Sequence, residues 1–336
     1  MSNKINIRYL VEDEFYLWDL FVDECEHGTI FNKTYWLKNI FSYKNTKFKV
    51  LAGFDKNDKI IAGFAFGYKI KFGIFKIINP PVITPYNSIL IKERNTNKRS
   101  KNESYNFGIL NEIIQFLDKN FNFIKIRFTP NHSDIRPFIW NKYNESIFYT
   151  YNLKLGKKET IFENFDSDIK RRIKKAKQLL YSIKTEQNDE NINAFYNLQN
   201  ISFEKQKHNF NLTKEQFINF MQILFHEDKA KIYTVYLEDK PVASCVLVFD
   251  KTNAYYWLAG SDYKYLNTGL NQLLFWEMIN DLSKNEIKNF DFLGANTNTI
   301  AKYKSTYNFK LVPYYSIEKI IGFGPKVLFR IKELVV

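Results

Sequence analysis

The chain has 336 residues, enough for two domains that each bury a core. Its 49 Lys and Arg against 36 Asp and Glu give a formal charge of +13, while hydrophobic residues make up 45% and charged ones 25%. These proportions exclude wholesale disorder, and the excess of positive charge fits either a polyanionic partner or solvated Lys-rich faces. Cys25 and Cys245 lie far apart, and four histidines lack HxxxH or HExxH spacing, so neither a disulfide framework nor a zinc site is expected. Met1-Ser2-Asn3-Lys4, followed by Glu12, Asp13 and Glu14, lacks a signal-peptide layout. Lys69, Lys71 and Lys76 interrupt the apolar stretch from Ile60 to Ile78, which therefore predicts no membrane-spanning helix. The expectation is a soluble, cytoplasmic, metal-free protein.

Charge is unevenly placed along the chain. Residues 11–30 hold seven carboxylates and no Lys or Arg, whereas residues 31–101 carry a local +12. Next, Phe48 to Phe54, Asp55-Lys56-Asn57-Asp58 and Lys59 to Phe64 read as strand, turn and strand. Ile109 to Leu117 predicts a helix, and Phe121 to Phe128 a strand. The stretch Tyr149 to Leu155 predicts another strand, with a boundary near residue 150.

Helices are expected over Ser167–Leu180 and Asn191–Lys205, with Thr213 capping a third that ends near Phe225. The first carries Lys170, Arg171, Arg172, Lys174, Lys175 and Lys177, either a phosphate-binding face or a solvated one. A second hairpin follows, Ala230 to Leu237 and Lys240 to Leu247 around Glu238-Asp239, then a helix over Asn271–Leu282 and a strand over Ile287–Phe292. Hairpin, helix and strand thus occur twice, with Ala62 and Ala243 in corresponding places, which suggests a duplicated α/β unit.

Tyr149 to Leu153 ahead of Asp168 to Ala176, and Phe290 to Gly294 ahead of Tyr303-Lys304, in this order resemble a FemAB-like member of the GNAT acyltransferase superfamily. Tyr149-Thr150-Tyr151-Asn152-Leu153 leading to Asp168-Ile169-Lys170-Arg171-Arg172-Ile173-Lys174-Lys175-Ala176 resembles that family's strand and R-x-x-I-x-K-A helix. Pro241-Val242-Ala243, Tyr255 to Ser261, and Gly269 opening a helix with Trp276-Glu277 form a second element. Phe290-Asp291-Phe292-Leu293-Gly294 followed by Tyr303-Lys304 resembles the F-D-F-x-G and F-K-x-x-F-G elements. Phe31 through Trp36-Leu37, with Pro80-Pro81-Val82-Ile83-Thr84-Pro85-Tyr86, is similar to the first-domain pattern. The likeness covers nearly the whole chain.

The resemblance implies an α/β fold of tandem GNAT-like domains, each a mixed, largely antiparallel sheet flanked by helices. The first would span 1–148, joined by 318–336, and the second 149–317, with a helical insertion near 166–226. The implied activity is transfer of an acyl or aminoacyl group from aminoacyl-tRNA or acyl-CoA, as co-substrate rather than tightly bound cofactor. The acceptor would be an amine of a cell-envelope or polysaccharide precursor that can carry phosphate. Transfer of acyl groups other than aminoacyl groups is one form, with an acyl-CoA-dependent N-acyltransferase on a lipid or sugar amine the rival enzyme. A non-catalytic nucleic-acid-binding protein is the rival of another class. tRNA binding, peripheral membrane contact and oligomeric state stay open. Two departures stand out: Asn79-Pro80-Pro81 in place of Arg-Gly-Pro, and Tyr265-Leu266-Asn267-Thr268-Gly269-Leu270-Asn271 in place of the pyrophosphate loop of acetyl-CoA enzymes.

Acyl transfer to an amine needs a neutral amine, a stabilised oxyanion and a proton route to the leaving atom. Lys304 is the expected cation for the oxyanion, with Tyr303 beside the donor or in the core. Asp291 is either a proton acceptor or the anchor of a turn, and Glu277 a base or a surface acid. Arg171 and Arg172 are the expected phosphate anchors unless they pair with Asp166 and Asp168. Lys38 is a weaker candidate for the same task. Gly269 and Tyr256 are carried over from the matched stretches as substrate-binding candidates. His208 and His226 are expected at helix ends.

Overall fold

A computed structural model of the chain describes residues 5–43, 46–94, 96–132, 134–205, 210, 212–284, 286–322 and 325. Its first half runs β1 (Asn6–Tyr9), α1 (Phe15–Glu24), α2 (Thr34–Ser42), β2 (Lys47–Phe54), β3 (Ile60–Lys71), β4 (Phe75–Ile78), β5 (Leu90–Ile91), α3 (Arg99–Asn120), β6 (Phe123–Arg127), α4 (Arg136–Trp140) and β7 (Asn144–Lys154). The second half continues with α5 (Lys158–Asn164), α6 (Ser167–Ala176), β8 (Tyr181–Lys184), α7 (Asp189–Lys205), α8 (Lys214–His226), β9 (Ala230–Leu237) and β10 (Lys240–Phe249). It ends with β11 (Asn253–Ser261), α9 (Leu270–Leu282), β12 (Asn289–Asp291), α10 (Asn298–Ser305) and β13 (Lys310–Ile320). Two compact units result, Met1–Phe148 with Pro313–Val336, and Tyr149–Val312. The return to the first unit begins at Pro313 rather than at 318, because β13 enters that unit's sheet as a strand.

Each unit is a mixed, largely antiparallel sheet flanked by helices. The first has strand order β1-β2-β3-β4-β6-β13, with β5 added to β3; the second has β7-β12-β11-β10-β9-β8. One parallel pair occurs in each, β4 with β6 and β11 with β12. A parallel pair needs a crossover, and α3 and α9 lie in those connections. The outer strand beside each crossover strand comes from the far end of the sequence: β13 pairs with β6, and β7 with β12, both antiparallel.

Local chemistry explains the hairpins and caps. Asp55 Oδ1 accepts the Asn57 and Lys59 amides at 2.9 and 3.0 Å, closing the β2–β3 turn. Thr213 and Gln216 form a reciprocal capping box at the start of α8. Helix α3 begins ten residues before the expected Ile109, since its first half carries little apolar surface and shows no helical stripe. Conversely, α6 stops at Ala176, and after a turn over residues 177–180 the chain enters β8 at Tyr181.

Apolar faces meet in a buried core in each unit. The first gathers Phe64, Phe66, Ile113, Leu117, Ile124 and Phe138. The second packs α6 and α9 on the sheet through Ile169, Ile173, Leu273, Phe275, Phe290, Phe292 and Tyr307.

Candidate functional site

The site is built on the turn that ends β12. Asp291, 6% exposed, accepts a hydrogen bond through Oδ1 from Thr150 Oγ1 on β7 and another from the Leu293 amide at 2.9 Å. The carboxylate thereby holds Leu293 and Gly294 at φ of 46° and 61°. A leucine in the left-handed region is uncommon and marks a place where surrounding contacts overrule local preference.

That turn presents two carbonyls to Lys304, in the last turn of α10. Lys304 is 9% exposed, donates from Nζ to Phe292 O at 2.6 Å and to Leu293 O, and lies 4.5 Å from the Phe292 ring centroid. Burial pushes its pKa down from 10.5 to about 7, opposed by the negative charge of Asp291. An ammonium has three N–H donors, so two carbonyls leave one for a third acceptor. Asp291, expected as a base or a turn anchor, makes the hydrogen bonds of a turn anchor, and its negative charge acts on Lys304.

Tyrosines surround this pair. Tyr303 is 38% exposed, yet its hydroxyl turns inward to Tyr307 Oη at 2.8 Å, and desolvation raises its pKa. Tyr256 packs its ring on Phe292 and Phe275, with centroids 5.2 and 5.6 Å apart, and is likewise desolvated, so its phenol stays protonated. The positive charge of Arg172 is felt by both Tyr303 and Tyr307. The structure therefore gathers Asp291, Tyr303, Lys304, Tyr256 and Arg172 around the end of β12. Thr150 and Tyr307 complete the cluster and were not singled out from sequence. Tyr307 lies one helical turn beyond Tyr303, a spacing that could have flagged it.

Other candidates take different places. Arg171 leaves 79% of its side chain exposed and pairs with Asp168, whose other oxygen accepts from Arg172 Nε at 2.7 Å. Two guanidinium hydrogen bonds hold the Asp168 carboxyl below its ordinary range. Of the two expectations for these arginines, phosphate anchors or partners of Asp166 and Asp168, the structure shows the pairing with Asp168, at i, i+3 and i, i+4 spacing on α6. Lys38 belongs to the first unit, where its exposed side chain pairs with Glu12. Glu277 is partly exposed and lies 3.8 Å from Lys177 Nζ, as a surface acid would.

Gly269 has a structural explanation. It starts α9 at φ 85°, and a Cβ there would fall 2.4 Å from Arg172 O, so the glycine lets α6 rest its backbone against the start of α9. His226 ends α8, and His208 lies outside the described residues. A groove of about 350 Å³ is lined by Tyr181, Ile183, Lys231, Tyr233, Asn280 and Asp281 among others, and none of the sequence candidates except Glu277 borders it. Among the described residues, Glu26, His27 and Glu93 bring potential ligand atoms within 4.8 Å of one another, and Glu93 is hydrogen-bonded to Glu26.

Residues 163–305 match the family model for an acetyltransferase (GNAT) domain. No curated protein matches the chain in sequence. Among solved structures, the chain is similar to FemX with a TM-score of 0.71 at 10% identity, covering 97% of this chain and 99% of that one. It is also similar to L-PGS from Bacillus licheniformis, with a TM-score of 0.55 at 12% identity over 97% and 98% of the two chains. A tandem GNAT protein from the clavulanic acid biosynthesis pathway matches with a TM-score of 0.55 at 10% identity, over 95% and 99%. In fold the chain is similar to FemX, and residues 163–305 match the GNAT-domain model.

Proposed function

We propose that this protein is an N-acyltransferase that hands an aminoacyl or acyl group from an activated donor to an amine, with aminoacyl-tRNA as the preferred donor. The observation that carries the reading is Lys304, a buried lysine poised near pH 7 with two N–H groups held by carbonyls. In the reaction the acceptor nitrogen attacks the ester carbonyl carbon, the C–O bond to the tRNA ribose breaks, and the amine proton ends on the departing ribose oxygen. The remaining Lys304 N–H stabilises the negative oxygen that develops, and a lysine titrating near 7 can return a proton to the leaving group. Asp291 keeps the carbonyls and the ammonium in register, while Tyr303 and Tyr256 flank the donor. Arg172 adds a positive field, with Arg171 at the rim.

The departure from the pyrophosphate loop favours tRNA over CoA, because residues 265–271 lack that loop's basic lead residue and second small residue. The acceptor we favour is an amine of an envelope or polysaccharide precursor, met in the cytoplasm where charged tRNA is found. Pairing of Arg171 and Arg172 with Asp168 weakens the case for a purely nucleic-acid-binding protein.

Incubating the chain with charged tRNA or an acyl-CoA pool and an amine library, with mass spectrometry of the products, tests the proposal. A new amide from charged tRNA, reduced about tenfold or more in Lys304→Ala, is the expected result. Tight CoA binding with no effect of tRNA would move the donor to CoA. Wild-type turnover in Lys304→Ala would remove Lys304 from the mechanism.

A further inference from the structure

The hairpin joining β3 to β4 ends in a tip that turn chemistry does not account for. Strand β3 is buried from Ala62 to Gly67, but residues 69–74 are all exposed. Ile74 N donates to Lys71 O at 3.3 Å, and the two residues between, Phe72 and Gly73, hold φ of 53° and 75°. Such a turn prefers Asn, Asp or Gly at both central positions. Phe72 is a strained choice, and packing does not compensate for it: Phe72 is 70% exposed, Ile74 69% and Ile70 41%. Cations surround these side chains. The register sets Lys71 opposite Phe75 and Ile70 opposite Lys76, so Lys69 and Lys71 lie on one face of the ribbon and Lys76 on the other. No Asp or Glu occurs between Asp58 and Glu93.

We propose that this tip docks the protein on an anionic lipid bilayer, with Phe72, Ile74 and Ile70 entering the boundary between headgroups and acyl chains while Lys69, Lys71 and Lys76 meet lipid phosphates. Apolar side chains with a basic collar suit that interface, which offers a dry layer beneath a layer of negative charge. A nucleic acid would engage the lysines but leave three large apolar groups in water. No helix among the described residues is long and apolar enough to cross a membrane. Each lysine near an anionic surface contributes about fivefold to partition.

The test is co-sedimentation of the full-length chain with vesicles of phosphatidylglycerol and phosphatidylcholine, against vesicles of phosphatidylcholine alone. The informative variant is Phe72→Asn, because asparagine suits the positive φ and should hold or raise the unfolding temperature. Wild type should prefer the anionic vesicles at least tenfold, Phe72→Asn should lose about tenfold, and joint replacement of Lys69, Lys71 and Lys76 by Gln about a hundredfold. Equal partition to both vesicle types would overturn the proposal. So would Phe72→Asn binding as wild type does, including the case in which RNA competes fully and the lysines serve a nucleic acid instead. The readout is vesicle partition and does not depend on the transfer activity.

Discussion

Replacing Lys304 by Met tests the electrostatics of the site independently of any substrate. A shift from 10.5 to about 7 means that holding the ammonium in the folded chain costs about 5 kcal/mol below pH 7. Methionine removes that cost but leaves the Phe292 and Leu293 carbonyls without this donor, at about 1–3 kcal/mol each. The two effects nearly cancel, so stability at a single pH discriminates poorly and its pH dependence becomes the measurement. Because the folded pKa is depressed, the burial cost is complete below pH 7 and vanishes only above the unfolded value of 10.5. Between these limits the unfolded chain binds more protons, and wild-type stability rises with pH. From pH 7 to pH 9 this group should contribute about 2 kcal/mol that Lys304→Met cannot show. Urea denaturation of both proteins at the two pH values measures it, comparing the same transition because a chain of two units need not unfold in one step. Parallel changes in wild type and variant would refute the argument, since Lys304 would then titrate near its ordinary value.

The remaining predictions follow from the same contacts. Asp291→Asn keeps an oxygen for the Thr150 hydroxyl and Leu293 amide but removes the charge that supports the Lys304 ammonium. The alkaline limb of the pH–rate profile, expected near 7 in wild type, should move to lower pH, and an unmoved limb would count against the coupling. Gly269→Ala should destabilise the chain by roughly 2–4 kcal/mol in denaturant titrations, from the left-handed φ and a Cβ 2.4 Å from Arg172 O, whereas Gly294→Ala, which meets no neighbour, should bear only the φ cost of about 1 kcal/mol. Burial raises both thiols, Cys25 to about 12 and Cys245 further. Neither should react with iodoacetamide at pH 8 until urea unfolds the chain; rapid labelling of the native protein would contradict their burial.

Much of this was legible in the residues themselves. The two hairpins follow from alternation bounded by Asp55–Asp58 and by Glu238-Asp239, both of which form the turns. The capping box at Thr213 and the segment Phe290 to Gly294 are likewise local, and they appear where the pattern predicts them. The ion pairs of Arg171 and Arg172 with Asp168 were open to the same logic, since three and four residues on a helix are neighbours. Lys304 could be named from sequence through its motif, yet nothing local distinguishes it from Lys302, two residues earlier in the same helix. Only the carbonyls of Phe292 and Leu293, brought by a turn eleven and twelve residues away, give its ammonium an inward destination.

Period-two alternation and turn residues state that a segment is a strand and where it reverses, because those properties depend on neighbours in the chain. They do not state which strand lies alongside. The pairing of β13 with β6 and of β7 with β12 joins segments about 140–190 residues apart, and it is selected by the need to satisfy open sheet edges and cover apolar faces, a condition on the whole unit. The same holds for burial: the sequence shows lysines at 69, 71, 76 and 304 as equal charges, and tertiary packing leaves the first three at the surface while drawing the fourth under a turn that lowers its pKa.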